Sequence, residues 1–260
     1  MVYTLGDRIA NRIMRHLSAP GLRVTAKAPI VSFTFDDAPD SAKYNGARIL
    51  EDQGVRGTFY IAGGLTGQSL PGRTIISTAD CIDLARKGHE VGCHTFSHDN
   101  VRTLRRGELI EDLDRNRAYL ANELGIKARN FAFPFNIASP SARRLLAHRY
   151  RTCRGGQEGI NRGATDPGYL KSVEIRQPED YVDGLTRWVS DLVQNPGWLI
   201  FFTHDISTTP TPFGCRPETF ERLVKSTVDA GCTILPIDQA LDHPAIEHTA
   251  SSPSPGSSGR

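Results

Sequence analysis

Pro29-Ile30-Val31-Ser32-Phe33-Thr34-Phe35-Asp36-Asp37 is the stretch that decides the fold. A run of β-branched and aromatic residues that stops at two carboxylates reads as a strand with a polar end. Ser41 to Gln53 follows as a predicted helix with Ile49 and Leu50 inward, and Gly57 to Ala62 (GTFYIA) is the second predicted strand. The alternation continues outward from there. Helix Thr78 to Lys87 is closed by Gly88, a common helix stop, before strand His89 to Cys93. A long helix from Arg105 to Leu124 ends at Gly125, before strand Asn130 to Phe133 and helix Ser139 to His148. Tyr150 to Cys153 and Leu170 to Ile175 are weaker strand patterns. Helix Tyr181 to Gln194, strand Trp198 to Thr203, helix Pro217 to Ala230 and strand Cys232 to Ile237 complete the series. Strands alternating with helices imply right-handed βαβ units and a parallel sheet. Seven or eight units in about 220 residues predict a single-domain α/β fold that suits a closed or distorted, TIM-like (β/α) barrel better than an open sheet, with an open doubly wound sheet as the alternative.

Around this domain, predicted over residues 28–245, lie two segments of different character. Residues 1–27 place Leu5, Ile9, Ile13 and Leu17 four apart with Arg8, Arg12 and Arg15 on other faces, which predicts an amphipathic helix packed on the domain, with docking on an acidic membrane surface as the alternative. Residues 246–260 (IEHTASSPSPGSSGR) are rich in Ser, Pro and Gly and read as a disordered tail.

Composition narrows the function classes. The 260 residues carry 31 Lys+Arg against 29 Asp+Glu, a net charge of +2, which gives no electrostatic footprint for nucleic acid. No apolar run approaches the ~20 residues of a membrane span. The first seventeen residues, broken by Asp7, Arg8, Asn11, Arg12 and Arg15, do not read as a signal peptide. The five cysteines, Cys81, Cys93, Cys153, Cys215 and Cys232, form no C-x-x-C pair and suit reduced thiols. The expectation is a soluble cytoplasmic protein.

Sites in parallel α/β folds form at the carboxyl ends of strands. Three predicted strand ends carry polar groups that the apolar strands do not explain: Asp36-Asp37, the His94-x-x-x-His98 pair, and Thr203-His204-Asp205. A hydrolytic zinc site needs three nitrogen or oxygen ligands and one open position. One carboxylate with His94 and His98 supplies three. The metal lowers the pKa of bound water toward ~7 and polarises a carbonyl. The second carboxylate is then free as general base, and a histidine approaching from the opposite side can protonate the leaving group. His89 reads as a scaffold residue and Cys93 as pointing away from the ligands.

Thr34-Phe35-Asp36-Asp37-Ala38-Pro39 and Gly88-His89-Glu90-Val91-Gly92-Cys93-His94-Thr95-Phe96-Ser97-His98 closely resemble the first two motifs of the polysaccharide deacetylase family. Gly57 to Ile61 is similar to its second strand and Phe202-Thr203-His204-Asp205 to its last motif. The resemblance extends over residues 28–240. It implies a distorted (β/α)7 barrel that removes acetyl groups from N-acetylated sugars with one divalent metal ion, zinc first, cobalt or nickel next. It further implies Asp36 as general base, Asp37, His94 and His98 as metal ligands, His204 as general acid, and the backbone N–H of Phe135 as an oxyanion donor. The family's third motif opens with an arginine; this chain reads Ala132-Phe133-Pro134-Phe135, so something else, for instance a residue from another loop, must hold Asp36. The family's Asp-Trp element that tunes the acid histidine is not legible, although Asp180, Asp183 and Trp188 lie in the right region. The expected substrate is an amino-sugar oligomer or polysaccharide. Alternatives are a small ureido or formamido compound, a sugar-binding module that has lost activity, and a non-haem iron oxygenase, whose facial triad uses the same three ligand types.

Overall fold

The computed structural model describes residues 21–176 and 181–249, with Gly6, Ile9, 12–14 and Ala19. Seven parallel strands curl into a barrel: β1 (Ile30–Asp36), β2 (Thr58–Ile61), β3 (Glu90–Cys93), β4 (Asn130–Ala132), β5 (Thr152–Arg154), β6 (Val173–Glu174) and β7 (Trp198–Thr203). Their order is β6-β7-β1-β2-β3-β4-β5, and β8 (Thr233–Ile234) pairs with the start of β1. Leu170 closes the ring by bonding Cys153 O and Gly155 N at 2.9 and 3.0 Å. The distorted (β/α)7 barrel expected from the sequence is the fold observed.

Every residue of β1 and β7 is buried, as a strand covered on both faces must be. The two faces do different work. Val31, Phe33 and Phe35 pack outward under the helices, where Phe33 stacks on Phe201 at 5.6 Å and Phe35 on Phe59 at 4.4 Å. Phe220, from helix Pro217–Asp229, meets Phe33 and Phe35 edge-on. The alternate set faces the barrel interior, where Trp198 Nε1 donates to Ser32 Oγ and Thr34 Oγ1 donates to Phe201 O. Glu90 accepts from Thr58, Asn130 and the Asp238 backbone near the barrel floor. Because strand side chains repeat every two residues, this interior set climbs through Thr34, Tyr60, Gly92 and Phe202 to Asp36, His94 and His204 at the carboxyl ends. Gly92 is required there, since a Cβ would overlap the Tyr60 ring.

Most predicted elements hold to within a few residues, and Ser77 and Ser139 cap their helices with Oγ acceptors. Three expectations are corrected. Ser41 to Gln53 is not one α-helix: Ala42–Ala47 is a π-helix and Arg48–Asp52 an α-helix. The wide turn lets Gly46 sit against Phe35 and Ile206, where a Cβ would clash, while Asn45 Nδ2 donates to Ile206 O at 2.7 Å. The predicted last strand ends at Ile234, because Pro236 has no N–H to donate, and Ile237–Leu241 is helical.

The third correction concerns the ends of the domain. Ile246–His248, assigned to a disordered tail, is a strand in an antiparallel sheet with Leu22–Val24 and Gly163–Thr165. Leu22, Val24 and Ile246 bury against Ile30, Trp198 and Leu241, so this sheet plugs the amino-terminal end of the barrel. Residues 250–260 lie outside the described residues. Near the amino terminus, Gly6, Ile9 and 12–14 are helical. The packed residue there is Met14, 1% exposed, while Ile9 and Ile13 are exposed; Leu5 and Leu17 lie outside the described residues. Among the described residues, no helix is long and apolar enough to cross a membrane.

Candidate metal and catalytic site

The residues singled out from the sequence converge on one mouth of the barrel. A cavity of about 460 Å³ is lined by Asp36, Asp37, His98, Phe135 and His204, with Arg73, Asn136, Glu174, Arg176 and Phe213. The loops that build it are held in strained conformations. Among the described residues, the non-glycine positions with positive φ are Asp37, Ala38, Thr95, His98, Phe135 and Asn136. All six follow β1, β3 or β4. Left-handed non-glycine residues cost about 1–3 kcal/mol each and persist where the surroundings enforce them. Part of that enforcement is visible: buried Asp112 accepts from Phe96 N at 2.7 Å and Ser97 N at 2.9 Å, and Thr95 Oγ1 accepts from His98 N at 3.1 Å. The Phe135 ring meets His98 edge-on at 4.5 Å.

Asp37, His94 and His98 each present one ligand atom, all within 4.8 Å of one another. Asp37 Oδ1 lies 2.9 Å from His98 Nε2 and 3.5 Å from His94 Nε2. Bonds of ~2.0–2.1 Å in a tetrahedron place neighbouring ligand atoms roughly 3.3 Å apart, between those two separations. Asp37 Oδ1 is nevertheless buried and makes no hydrogen bond. A buried carboxylate oxygen facing two imidazole nitrogens without a bond is costly unless a cation completes the set. The donor set therefore fits a divalent metal. His94 Nδ1 lies 2.9 Å from Ala132 O; since a carbonyl only accepts, Nδ1 carries the proton and Nε2 is left as the ligand atom.

Burial pushes the His94 pKa down to about 4, keeping the ring neutral as a ligand must be. For Asp37, burial pushes upward but the neighbouring His98, with His204 and His94, outweighs it and holds the carboxyl well below its usual range. These shifts fix the sign of the acid response. The folded state binds a proton to His94 less readily than the unfolded chain does, so its contribution is complete above pH 6.5 and is lost as pH falls toward 4. The span of about 2.5 pKa units corresponds to roughly 3 kcal/mol. Denaturant unfolding of the metal-free protein is expected to show that loss between pH 6.5 and 4, and His94→Gln is expected to flatten it. Asp37 adds a further loss below pH 3.8.

Comparison with known proteins bears on the family and the fold. The sequence profile described as polysaccharide deacetylase matches residues 23–150. Those residues place the chain in the polysaccharide deacetylase family. A bifunctional xylanase/deacetylase from Pseudobutyrivibrio xylanivorans is 23% identical over 111 residues, 43% of this chain and 17% of that protein. The chain thus spans about a sixth of that relative's length. An acetyl xylan esterase from Clostridium thermocellum, solved in complex with a cobalt ion, superposes with TM-score 0.57 at 18% identity over 82% of this chain and 90% of the other. A family pseudoenzyme from Bacillus anthracis gives TM-score 0.56 at 16% identity over 84% and 66%. At these identities the structural likeness is one of fold.

As a polysaccharide deacetylase family member, the chain lacks the third-motif arginine, and the structure supplies another. Arg154, at the end of β5 and fully buried, places Nη2 2.5 Å from Asp36 Oδ2, while Nη1 donates to Asn136 Oδ1 at 2.9 Å. Its guanidinium lies 4.5 Å from the Phe202 ring centroid and 5.6 Å from that of Tyr60. The sequence held a signal for it. Thr152 faces inward, bonding Asn130 Oδ1, so residue 154 does too; the predicted strand stopped one residue short. Arg73 was also missed. It sits on a hairpin of Ser69–Leu70 and Arg73–Thr74, turned by Pro71-Gly72 with Gly72 at φ 78, and donates to Asp37 Oδ2 at 2.7 Å. Each carboxylate is therefore clamped through Oδ2 by an arginine, and each keeps a buried Oδ1 without a hydrogen bond.

His89 is a scaffold residue as expected, with Nδ1 accepting from Gly57 N and Nε2 facing Glu51. The Cys93 Sγ accepts from Asn116 Nδ2 at 3.0 Å. Asp183 and Trp188 lie on helix Tyr181–Gln194, whereas Asp180 is outside the described residues. The carboxylate that lines the cavity near His204 is instead Glu174, whose pKa is raised chiefly by burial.

Proposed function

We propose that the chain is a divalent-metal-dependent hydrolase that removes an acyl group, N-acetyl first, from an amino-sugar oligomer or polysaccharide. The observation that carries this reading is the pair of arginine-clamped carboxylates, one aimed at two imidazole nitrogens and the other left with a free buried oxygen. Asp37 Oδ1, His94 Nε2 and His98 Nε2 would hold the ion. A nitrogen-and-oxygen donor set suits zinc, with cobalt or nickel as substitutes. When bound, the ion supplies an acidified water and carbonyl polarisation.

The remaining work falls to the chain. Asp36 Oδ1 takes the proton of the attacking water, and Arg154 prevents the carboxylate from turning away. The Phe135 backbone N–H would donate to the developing oxyanion, a contribution typically worth about 3–4 kcal/mol. His204 gives a proton to the departing amine, which leaves poorly without one. A cavity of about 460 Å³ is within the usual range for small ligands and suits an acylated sugar ring.

The test is acetate release from N-acetylglucosamine oligomers by the zinc-reconstituted protein. Turnover is expected, with kcat falling about 10²–10⁴-fold in His204→Ala while the metal stays bound. Unchanged turnover in that variant moves the acid elsewhere. Turnover of a ureido or formamido compound in place of the oligomers changes the substrate class, and turnover of neither leaves a sugar-binding module.

A further inference from the structure

Past Thr203 the chain runs through His204 and Asp205 into a loop that the catalytic assignment does not use. Asp205 is 2% exposed, and its carboxylate accepts from Thr211 N at 2.8 Å and Thr211 Oγ1 at 2.5 Å. Its carbonyl accepts from Cys215 N at 3.0 Å, and Ser207 N donates to Cys215 O at 3.1 Å. Gly214 is packed so closely that a Cβ would overlap both the carbonyl and the carboxyl of Asp205. Residues 207–215 are thereby stapled back onto the end of β7.

The staple sets one residue against the proposed acid in two ways. Phe213 O lies 3.3 Å from His204 Nδ1, and the neighbouring Thr203 hydroxyl donates instead to Ile175 O at 2.7 Å. The Phe213 ring lies 5.6 Å from the His204 ring and lines the cavity, 37% exposed. A carbonyl can only accept, so Nδ1 must carry a proton and Nε2 is the nitrogen left for proton transfer. The other aromatic wall, Phe135, is engaged with His98.

We propose that the strap 205–215 positions the acid and selects the substrate. The Phe213 carbonyl fixes the tautomer and facing of His204, and the Phe213 ring is the wall against which the C–H face of a pyranose ring stacks. The second half rests on the hydrolase reading; the first stands without it. A flat, polar ureido group gains little from such a wall, whereas a sugar presents both apolar C–H groups and hydroxyls to it.

The test combines two readouts on the full chain. Imidazole ¹⁵N shifts, assigned by comparison with His204→Gln, are expected to show the Nδ1-protonated tautomer in the wild type and a mixture in Gly214→Ala and Thr211→Val. Phe213→Ala keeps the carbonyl, so its tautomer and kcat are expected to stay within about twofold of wild type while KM for the sugar oligomer rises about tenfold; Phe213→Tyr restores KM. Circular dichroism and metal content identify any variant that merely fails to fold, and Thr211→Val is the milder of the two strap variants. An unchanged tautomer in both strap variants overturns the positioning role, and an unchanged KM in Phe213→Ala overturns the wall. The tautomer result requires no turnover, so it is readable even if the hydrolase reading fails.

Discussion

Asp36→Asn is expected to lower kcat about a thousandfold, within the 10²–10⁴ range of general acid–base catalysis, while metal content stays at the wild-type level. The split follows from the two clamped carboxylates. Asp37 Oδ1 faces His94 and His98, whereas Asp36 Oδ1 is buried, unbonded and on the cavity wall. Asparagine keeps the shape and can still hydrogen-bond, but it cannot take a proton from water. Asp37→Asn is expected to do the reverse, with the metal lost first and activity lost as a result. Paired metal analysis and initial rates separate the two, and near-normal turnover in Asp36→Asn would overturn the assignment of the base.

Arg154→Met is expected to destabilise the protein by about 3–5 kcal/mol, the usual consequence of removing one partner from a buried ion pair. Both partners are almost wholly inaccessible to solvent, so Asp36 would be left with an uncompensated charge. For a chain of this size the loss corresponds to a fall in Tm of roughly 10 °C. The double variant Asp36→Asn/Arg154→Met is expected to recover most of that stability without recovering turnover, because methionine and asparagine leave no charge to bury. Thermal unfolding of the four proteins in the cycle measures the coupling. A wild-type Tm in Arg154→Met would show that the contact does not hold the base in solution.

The barrel and the cluster of Asp37, His94 and His98 were legible because their signals are local. Apolar runs that end in Asp36-Asp37, His94 through His98 and Thr203-His204-Asp205 each announce a strand and its polar mouth within a few residues. The two arginines were illegible as site residues for the opposite reason. Arg154 reaches Asp36 across 118 positions and Arg73 reaches Asp37 across 36. Only barrel closure brings the first pair together. The strand Ile246–His248 was hidden in the same way, since its partner Leu22–Val24 lies at the far end of the chain. The π-helix Ala42–Ala47 depends on Phe35 and Ile206 pressing against Gly46, a tertiary contact that overrides local helix propensity.

The most direct test of the central claim is metal content of the purified full chain by mass spectrometry, beside the His94→Ala/His98→Ala double variant. About one zinc, cobalt or nickel ion per chain, lost in the double variant, is the predicted result. Absence of bound metal in the wild type even after reconstitution, or equal metal in both proteins, would contradict it.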